Sequence, residues 1–223
     1  MEVATAGGAA ALTAAKVADK TIDAARVLDK LDDLGDAAKA ADKLEDISDG
    51  TKLLPPPKEL GDVVYEKGGK KGEGWSKKLN GKLESNSKYS VDGYLYETDE
   101  LGRVNKVSGK LELKERGRNT YQQGKSVKIK DGIEGDQGGH LIGDRFYGPG
   151  EQINYVPQKG SLNQSAYKKM ENDWQKALED GKEVDVHIEN IYEGTSKRPV
   201  GQEVNYTIKD GDNIIEFEEV FIN

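Results

Sequence analysis

The carboxy-terminal third of the chain alternates hydrophobic and polar residues with a period of two, as half-buried β-strands do. Residues 184–188 carry Val, Val and Ile at every second position, and residues 204–208 carry Val, Tyr and Ile in the same way. Asp210-Gly211 then separates the second run from residues 214–217, and this dipeptide is typical of a hairpin turn. The pattern predicts antiparallel strands joined by tight connections.

Residues 164–180 are predicted to form an amphipathic helix. Apolar residues recur at positions i, i+3, i+7, i+10 and i+11, which lie on one helix face, and Gly181 stands where a helix commonly ends. These residues are Tyr167, Met170, Trp174, Ala177 and Leu178. One central helix among several antiparallel strands favours an α+β fold.

The middle of the chain also indicates β-structure. We predict strands at residues 89–96, 111–113 and 127–129, with a turn at Asp99-Glu100-Leu101-Gly102. The Gly/Lys mixture of residues 67–74 suggests a mobile loop.

The amino-terminal segment differs in composition from the rest of the chain. Residues 9–49 are rich in Ala, Asp, Lys and Leu, and Pro55-Pro56-Pro57 forms a stiff break behind them. We therefore predict a helical linker over residues 1–60 and a folded domain over residues 61–223. No run of about 18 apolar residues is present to span a bilayer, and the Ala-rich opening does not resemble a cleavable signal peptide.

Composition and charge exclude some kinds of site and leave others open. The 223 residues include no cysteine, which excludes disulfides, a thiolate zinc site and a cysteine nucleophile. The net charge of −8 is unevenly spread: residues 65–130 hold 16 Lys and Arg against 9 Asp and Glu, whereas residues 131–223 hold 9 against 19. The basic middle segment permits local contact with phosphate, although a solvated lysine-rich hairpin explains the same charges.

The two histidines of the chain have different surroundings. His187 alternates with acidic residues on the polar face of a predicted strand, so we interpret it as a structural or surface residue. His140 follows Gly138-Gly139, which allow the backbone to approach another group closely, and it precedes an apolar pair that can anchor it. His140 is therefore the candidate for acid–base chemistry.

Asn163 and Glu171 are eight residues apart at the predicted helix. At 3.6 residues per turn this spacing is about 80° around the helix axis, so both side chains can face one flank. Taken singly, Asn163 is also explained as a helix N-cap and Glu171 as a solvated helix residue.

The combined pattern resembles the DNA/RNA non-specific endonucleases of the ββα-metal class over roughly residues 85–223. The motifs are Asp136-Gln137-Gly138-Gly139-His140, Asn154-x-Val156-Pro157-Gln158, and Leu162-Asn163-Gln164 with Glu171. Within that family, the chain is similar to the carboxy-terminal nuclease domains of LXG and other polymorphic bacterial secreted toxins. Tyr192-Glu193-Gly194 and Arg198-Pro199 add to this second likeness.

The resemblance implies a fold and a role for each motif residue. The fold would be a ββα-metal nuclease with a mainly antiparallel sheet and a central helix. His140 would activate water as the general base, Asn163 would bind Mg²⁺ or Mn²⁺, and Glu171 would hold a water of the hydrated ion. Asn154 would fix the loop near the base or touch the phosphate.

The sequence departs from the longer-known family members at one position. Those members read Asp-Arg-Gly-His, with the arginine on the phosphate, and Gly138 stands in its place here. Arg116, Arg118 and Arg145 are candidates to supply the missing charge. We favour Arg118 because it lies in the basic segment, with Arg145 next.

The resemblance further implies a toxin that a bacterium secretes and that acts in the cytoplasm of a target cell. Residues 1–60 would then be a remnant of the delivery region. The expected partners are nucleic acid, DNA more than RNA, and a cognate immunity protein. The missing arginine and the acidic final segment leave an alternative open, namely a nuclease-like interaction module with weak or no activity that the immunity protein binds.

Overall fold

A seven-stranded, mainly antiparallel sheet forms the body of the protein. The computed structural model describes residues 63–223, so the helical linker predicted over residues 1–60 lies outside the described residues. The strands are Val63–Glu66 (β1), Lys88–Val91 (β2), Tyr94–Thr98 (β3), Val104–Lys110 (β4), Asp136–His140 (β5), Tyr155–Lys159 (β6), Glu183–Tyr192 (β7), Pro199–Asp210 (β8) and Asn213–Ile222 (β9). The large sheet has the order β1-β2-β3-β4-β7-β8-β9, and only the pair β1 and β2 is parallel.

Strands β5 and β6 form a separate antiparallel pair, and helices lie on either side of it in the sequence. The helices are Thr120–Ile129 (α1), Gly160–Gln164 (α2) and Ala166–Glu179 (α3). The expected α+β architecture, with a mainly antiparallel sheet and a central helix, is confirmed. None of the helices in residues 63–223 is long and apolar enough to cross a membrane.

Helix α3 confirms the amphipathic helix of the sequence. Its buried side chains are Tyr167, Met170, Trp174 and Ala177. The Trp174 ring is fully buried and makes edge contacts with Tyr206 of β8 and with Phe146, at 5.4 and 6.0 Å between ring centroids. The carboxy-terminal alternation is confirmed as well, because alternate residues of β7 face this core and the residues between them face outward. His187 is one of the outward-facing residues and is half-buried.

The chain forms two strands where the sequence predicted a single strand at residues 89–96. Asp92 and Gly93 have φ angles of 49° and 94°, which is the backbone of a two-residue hairpin turn. Val91 consequently pairs with Tyr94. The predicted turn after β3 is confirmed, since the Asp99 carboxylate accepts hydrogen bonds from the backbone amides of Leu101 and Arg103.

The strand predicted at residues 127–129 is wrong, and the one predicted at residues 111–113 is displaced. Residues 127–129 form the last turn of α1, a helix capped at its start by the Asn119 side chain, which accepts from the Gln122 amide. The β-branched Val127 and Ile129 favour a strand locally, but tertiary packing selects the helix. Strand β4 ends at Lys110, before the leucines that suggested a strand.

Candidate active site

His140 is held in place by the pair of glycines before it. A Cβ atom on Gly138 would collide with the Gln123 carbonyl of α1, and one on Gly139 would lie 2.5 Å from the Gln158 side-chain oxygen. The side-chain Nε2 of Gln123 also donates a 2.9 Å hydrogen bond to the Gly138 carbonyl. The glycines therefore let β5 pass between α1 and β6 without a side chain to separate them.

The imidazole of His140 is half-buried at the end of β5. It pairs across the strands with Tyr155, and the two ring centroids are 4.6 Å apart. Burial lowers the pKa of His140 to about 3, and the positive charge of Arg118 adds to this shift. The ring is consequently neutral at physiological pH, which is the state that accepts a proton.

An open cleft of about 590 Å³ lies beside this histidine. Its lining brings together four residues predicted from the sequence: Arg118, His140, Arg145 and Glu171. Burial raises the pKa of Glu171, whereas the charges of Arg145, Arg118 and Lys168 oppose that rise. Glu171 thus faces the cleft, and the interpretation of it as an ordinary solvated helix residue is wrong. Asp144 also lines the cleft, and nothing in the sequence pattern singled it out.

The three candidate arginines have different environments. Arg116 is 2% exposed and bonds through Nη2 to Asp92 at 2.6 Å, so its charge is engaged inside the protein. Arg145 lines the cleft but donates from Nη1 to the side-chain oxygens of Asn172 and Gln175. Arg118 is exposed in the cleft, and within residues 63–223 no hydrogen bond or ion pair engages its guanidinium. The structure therefore favours Arg118 as the group free to meet an anion.

Asn154 is fully buried and all of its side-chain hydrogen-bonding capacity is used. Its oxygen accepts from the Tyr96 hydroxyl and the Ile142 amide, and its nitrogen donates to the carbonyls of Ile142 and Pro149. Of the two roles considered for Asn154, contact with a phosphate is therefore incompatible with this geometry. The geometry favours the other role, fixing the loop that follows His140.

Asn163 and Glu171 lie on two separate helices. Helix α2 ends at Gln164, and Ser165, with φ −117° and ψ −91°, interrupts the helical path before α3 begins. The angle of about 80° expected for one continuous helix is therefore wrong, and so is the alternative that Asn163 is an N-cap.

The side chain of Asn163 is oriented by Gln137, a motif residue to which the sequence assigned no role. Its Nδ2 donates a 3.0 Å hydrogen bond to Gln137 Oε1, while its Oδ1 has no partner within residues 63–223. Asn163 is not among the cleft-lining residues. No group of three or more His, Asp or Glu side chains in the described part of the chain is arranged to bind a metal, whereas a hydrated Mg²⁺ needs only one or two protein oxygen ligands.

The strand that carries His140 is fixed at its other end by a buried ion pair. Arg198 Nε and Nη2 donate to the two oxygens of Asp136 at 2.7 and 2.9 Å, and the Ile133 amide donates to the same carboxylate. Desolvation alone would raise the pKa of Asp136, but these hydrogen bonds and the charge of Arg198 outweigh it and lower the pKa. The Arg-Pro motif thus anchors β5 to the start of β8.

We expect Asp136→Asn to lower the free energy of unfolding by about 3 kcal/mol near neutral pH, because it leaves a nearly buried arginine without a counter-ion. The contribution of a carboxylate with a lowered pKa is complete above its unfolded pKa and is lost as the pH falls through its folded pKa. The difference between the wild type and the variant in urea unfolding should therefore shrink as the pH falls through the lowered pKa of Asp136. Asp212→Asn, the same change at an exposed turn, is the control, and a pH-independent difference would contradict the prediction.

Comparisons with known proteins bear on the same residues. A family model described as DNA/RNA non-specific endonuclease matches residues 85–210, more than half of the chain. The Type VII secretion system protein EssD from Staphylococcus aureus strains USA300 and NCTC 8325 is 35% identical over 151 residues. This match covers 64% of the chain and 24% of the relative, so the chain spans about a quarter of the length of these curated relatives.

Proposed function

The chain belongs to the DNA/RNA non-specific endonuclease family, and on this premise we propose that it is a metal-dependent nuclease of low sequence specificity, acting on DNA in preference to RNA. The observation that carries the proposal is the cleft in which His140, Glu171 and Arg118 meet. These residues supply a base, a carboxylate and a cation, which are the groups that phosphodiester hydrolysis requires.

His140 acts as the general base in this proposal. Its neutral ring has a free lone pair at physiological pH, so it can take a proton from the water that attacks phosphorus. The buried loop around Asn154 and the close packing of Gly138 and Gly139 keep the imidazole in one position. That rigidity reduces the reorganisation needed when the water is activated.

We further infer that side-chain oxygens of Asn163 and Glu171 serve a divalent ion such as Mg²⁺ or Mn²⁺. Asn163 Oδ1 would be the protein ligand, because Gln137 fixes its amide and leaves that oxygen without another partner among the described residues. Glu171 would orient a water of the hydration shell. When bound, the ion would offset the negative charge that develops on the phosphate and the leaving oxygen.

Arg118 takes the role of phosphate contact in the proposal, and we expect Arg118→Ala to reduce kcat/KM for DNA cleavage by about 100-fold. Arg145→Ala should reduce kcat/KM by a smaller factor, because the Arg145 guanidinium already donates to Asn172 and Gln175. Steady-state kinetics on a labelled duplex would measure both variants. A larger loss for Arg145→Ala would overturn this assignment.

We further propose that the chain is the toxic part of a longer secreted protein, with residues 1–60 as a remnant of the delivery region. The support is the relative named as a Type VII secretion system protein, of which the matched region is about a quarter. A nuclease delivered into the cytoplasm of a target cell would endanger its producer, so the proposal includes an immunity protein that blocks the cleft.

Incubation of purified protein with plasmid DNA tests the proposed activity. We expect nicking in the presence of Mg²⁺ and none in excess EDTA, because chelation removes the ion from its oxygen ligands. A parallel reaction with a long single-stranded RNA measures the preference between the two nucleic acids. Absence of nicking by the wild type across Mg²⁺ and Mn²⁺ would reject the proposal, and faster cleavage of RNA would reverse the preference.

A further inference from the structure

Residues 67–76, hereafter the basic loop, lie outside the region that matches the family model. The loop contains Lys67, Lys70 and Lys71 against a single acidic residue, Glu73. The sequence predicted a mobile segment here, yet the loop is tied to the body of the protein. The backbone amides of Gly69 and Ser76 both donate to Oε1 of Glu151, at 2.6 and 2.8 Å.

Glu151 is an unusual anchor, since it is fully buried and lies 82 and 75 residues along the chain from its two donors. Burial raises the pKa of Glu151, while the two amide hydrogen bonds oppose that rise. A second tie joins the loop to Arg116, which donates to the Gly69 carbonyl at 2.8 Å. Burial of a carboxylate costs free energy unless hydrogen bonds satisfy it. Because the loop supplies two such hydrogen bonds to Glu151, its position relative to this residue is fixed.

The tip of the basic loop is a tight turn with a defined shape. The Lys70 amide donates to the Gly74 carbonyl, and the Glu73 amide donates to the Lys70 carbonyl, at 3.1 and 3.0 Å. Gly72 and Gly74 have φ angles of 89° and 100°, which other residues rarely adopt. The two lysines at the tip are exposed, so they project from a backbone that is already ordered.

The loop lies next to the cleft. A Cβ atom on Gly117 would be 2.8 Å from Lys71 Cβ, so the two segments touch there. Gly117 is the neighbour of Arg118, and the same segment contributes Lys114 to the cleft lining. The basic loop thus places Lys71 beside the segment that brings Lys114 and Arg118 to the cleft, although Glu115 of that segment also lines it. The 3.6 Å contact between Lys70 and Glu73 is exposed and offsets the positive charge of the loop only weakly.

We propose that Lys70 and Lys71 form a second phosphate-binding site, which holds the nucleic-acid backbone at a position beyond the bond that is cleaved. This inference rests on the proposed function. Like charges placed side by side on an ordered turn repel one another, and a polyanion relieves that repulsion. Lysine ammonium groups contact phosphates without reading bases, which agrees with low sequence specificity.

Such a site has a specific signature. Each phosphate contact releases counterions from the DNA, so the association constant falls as the salt concentration rises. For duplex DNA, the logarithm of the association constant falls by about 0.9 per contact for each tenfold rise in salt. Removal of both lysines should therefore reduce the salt slope by about 1 to 2 units. A small phosphodiester that occupies only the cleft should not depend on the loop.

The test compares the Lys70→Ala/Lys71→Ala variant of the 223-residue chain with the unsubstituted chain. Fluorescence anisotropy with a labelled 20-base-pair duplex in EDTA measures binding without hydrolysis, across a series of NaCl concentrations. We expect about tenfold weaker binding at low salt and the smaller slope. The variant should hydrolyse bis(p-nitrophenyl) phosphate in the presence of Mg²⁺ at the same rate as the wild type.

A matched control replaces two lysines on the outer face of the sheet, Lys88→Ala/Lys106→Ala. Lys106 is paired with Glu189 at 3.3 Å, and strand alternation places both lysines opposite the buried face. If the loop variant binds DNA with the affinity and salt slope of this control, the inference is wrong. Failure of the wild type to cleave plasmid would reject the proposed activity, and the EDTA binding data would still decide the role of the loop.

Discussion

His140→Ala is expected to reduce plasmid cleavage by about 10²- to 10⁴-fold, the range that a positioned general base contributes. Alanine removes the lone pair that receives the proton of the attacking water, and no other histidine lines the cleft. Single-turnover cleavage of a labelled duplex at saturating Mg²⁺ measures the loss directly. The fold should persist, since the Gly138 and Gly139 packing that positions β5 is unchanged.

The chain supplies its own control for this experiment because it has only one other histidine. His187 is half-buried on the outer face of β7, where it pairs across the strands with Asn205. His187→Ala should therefore retain close to full activity. Comparable losses in the two variants, or full activity of His140→Ala, would remove His140 from the proposed mechanism.

Local sequence patterns predict the parts of this fold in which burial alternates regularly. Helix α3 and strands β7 and β8 follow their predicted periods because one face of each packs on a common core. Helix α1 was missed because its helical state depends on the Asn119 cap and on contact with Gly138 of β5. The local preference of Val127 and Ile129 points to a strand, and the tertiary contact overrides it.

The candidate site was predicted to the extent that it depends on motif residues. His140 and Glu171 face one cleft as expected. The sequence favoured Arg118 from the local charge alone, whereas the environments that distinguish the three arginines depend on partners distant along the chain, such as Asp92 for Arg116. The basic loop was interpreted as mobile for the same reason, since its anchor Glu151 is 82 residues from Gly69.

The interruption at Ser165 changes how Asn163 is positioned. On one continuous helix, the backbone alone would set its direction relative to Glu171. On the separate helix α2, the hydrogen bond to Gln137 is what orients the amide. Because Gln137 lies in the strand that ends at His140, the strand that carries the proposed base also orients the proposed metal ligand on α2.

We therefore expect Asn163→Ala to reduce Mg²⁺-dependent cleavage by at least about 100-fold. Loss of a residue that only hydrogen-bonds to a metal ligand already lowers metal affinity or activity by about 10- to 100-fold. The same variant should lose the rise in Tm that Mg²⁺ produces in wild type, because a ligand of the folded state stabilises that state. Titration of Mg²⁺ in cleavage and thermal-unfolding experiments measures both effects. Asn163→Asp keeps an oxygen at the ligand position and should retain more activity than alanine.

Gln137→Ala separates orientation of the amide from binding by it. This variant keeps Asn163 Oδ1 but releases the amide, so the Mg²⁺ concentration needed for half-maximal cleavage should rise while the rate at saturating Mg²⁺ is largely preserved. Asn205→Ala removes an amide that donates to Glu203 on the outer face and should change neither value. A wild-type Mg²⁺ requirement and Tm response in Asn163→Ala would show that the ion is held elsewhere. In that case the oxygen donors of the cleft, Glu171 and Asp144, become the ligands to test.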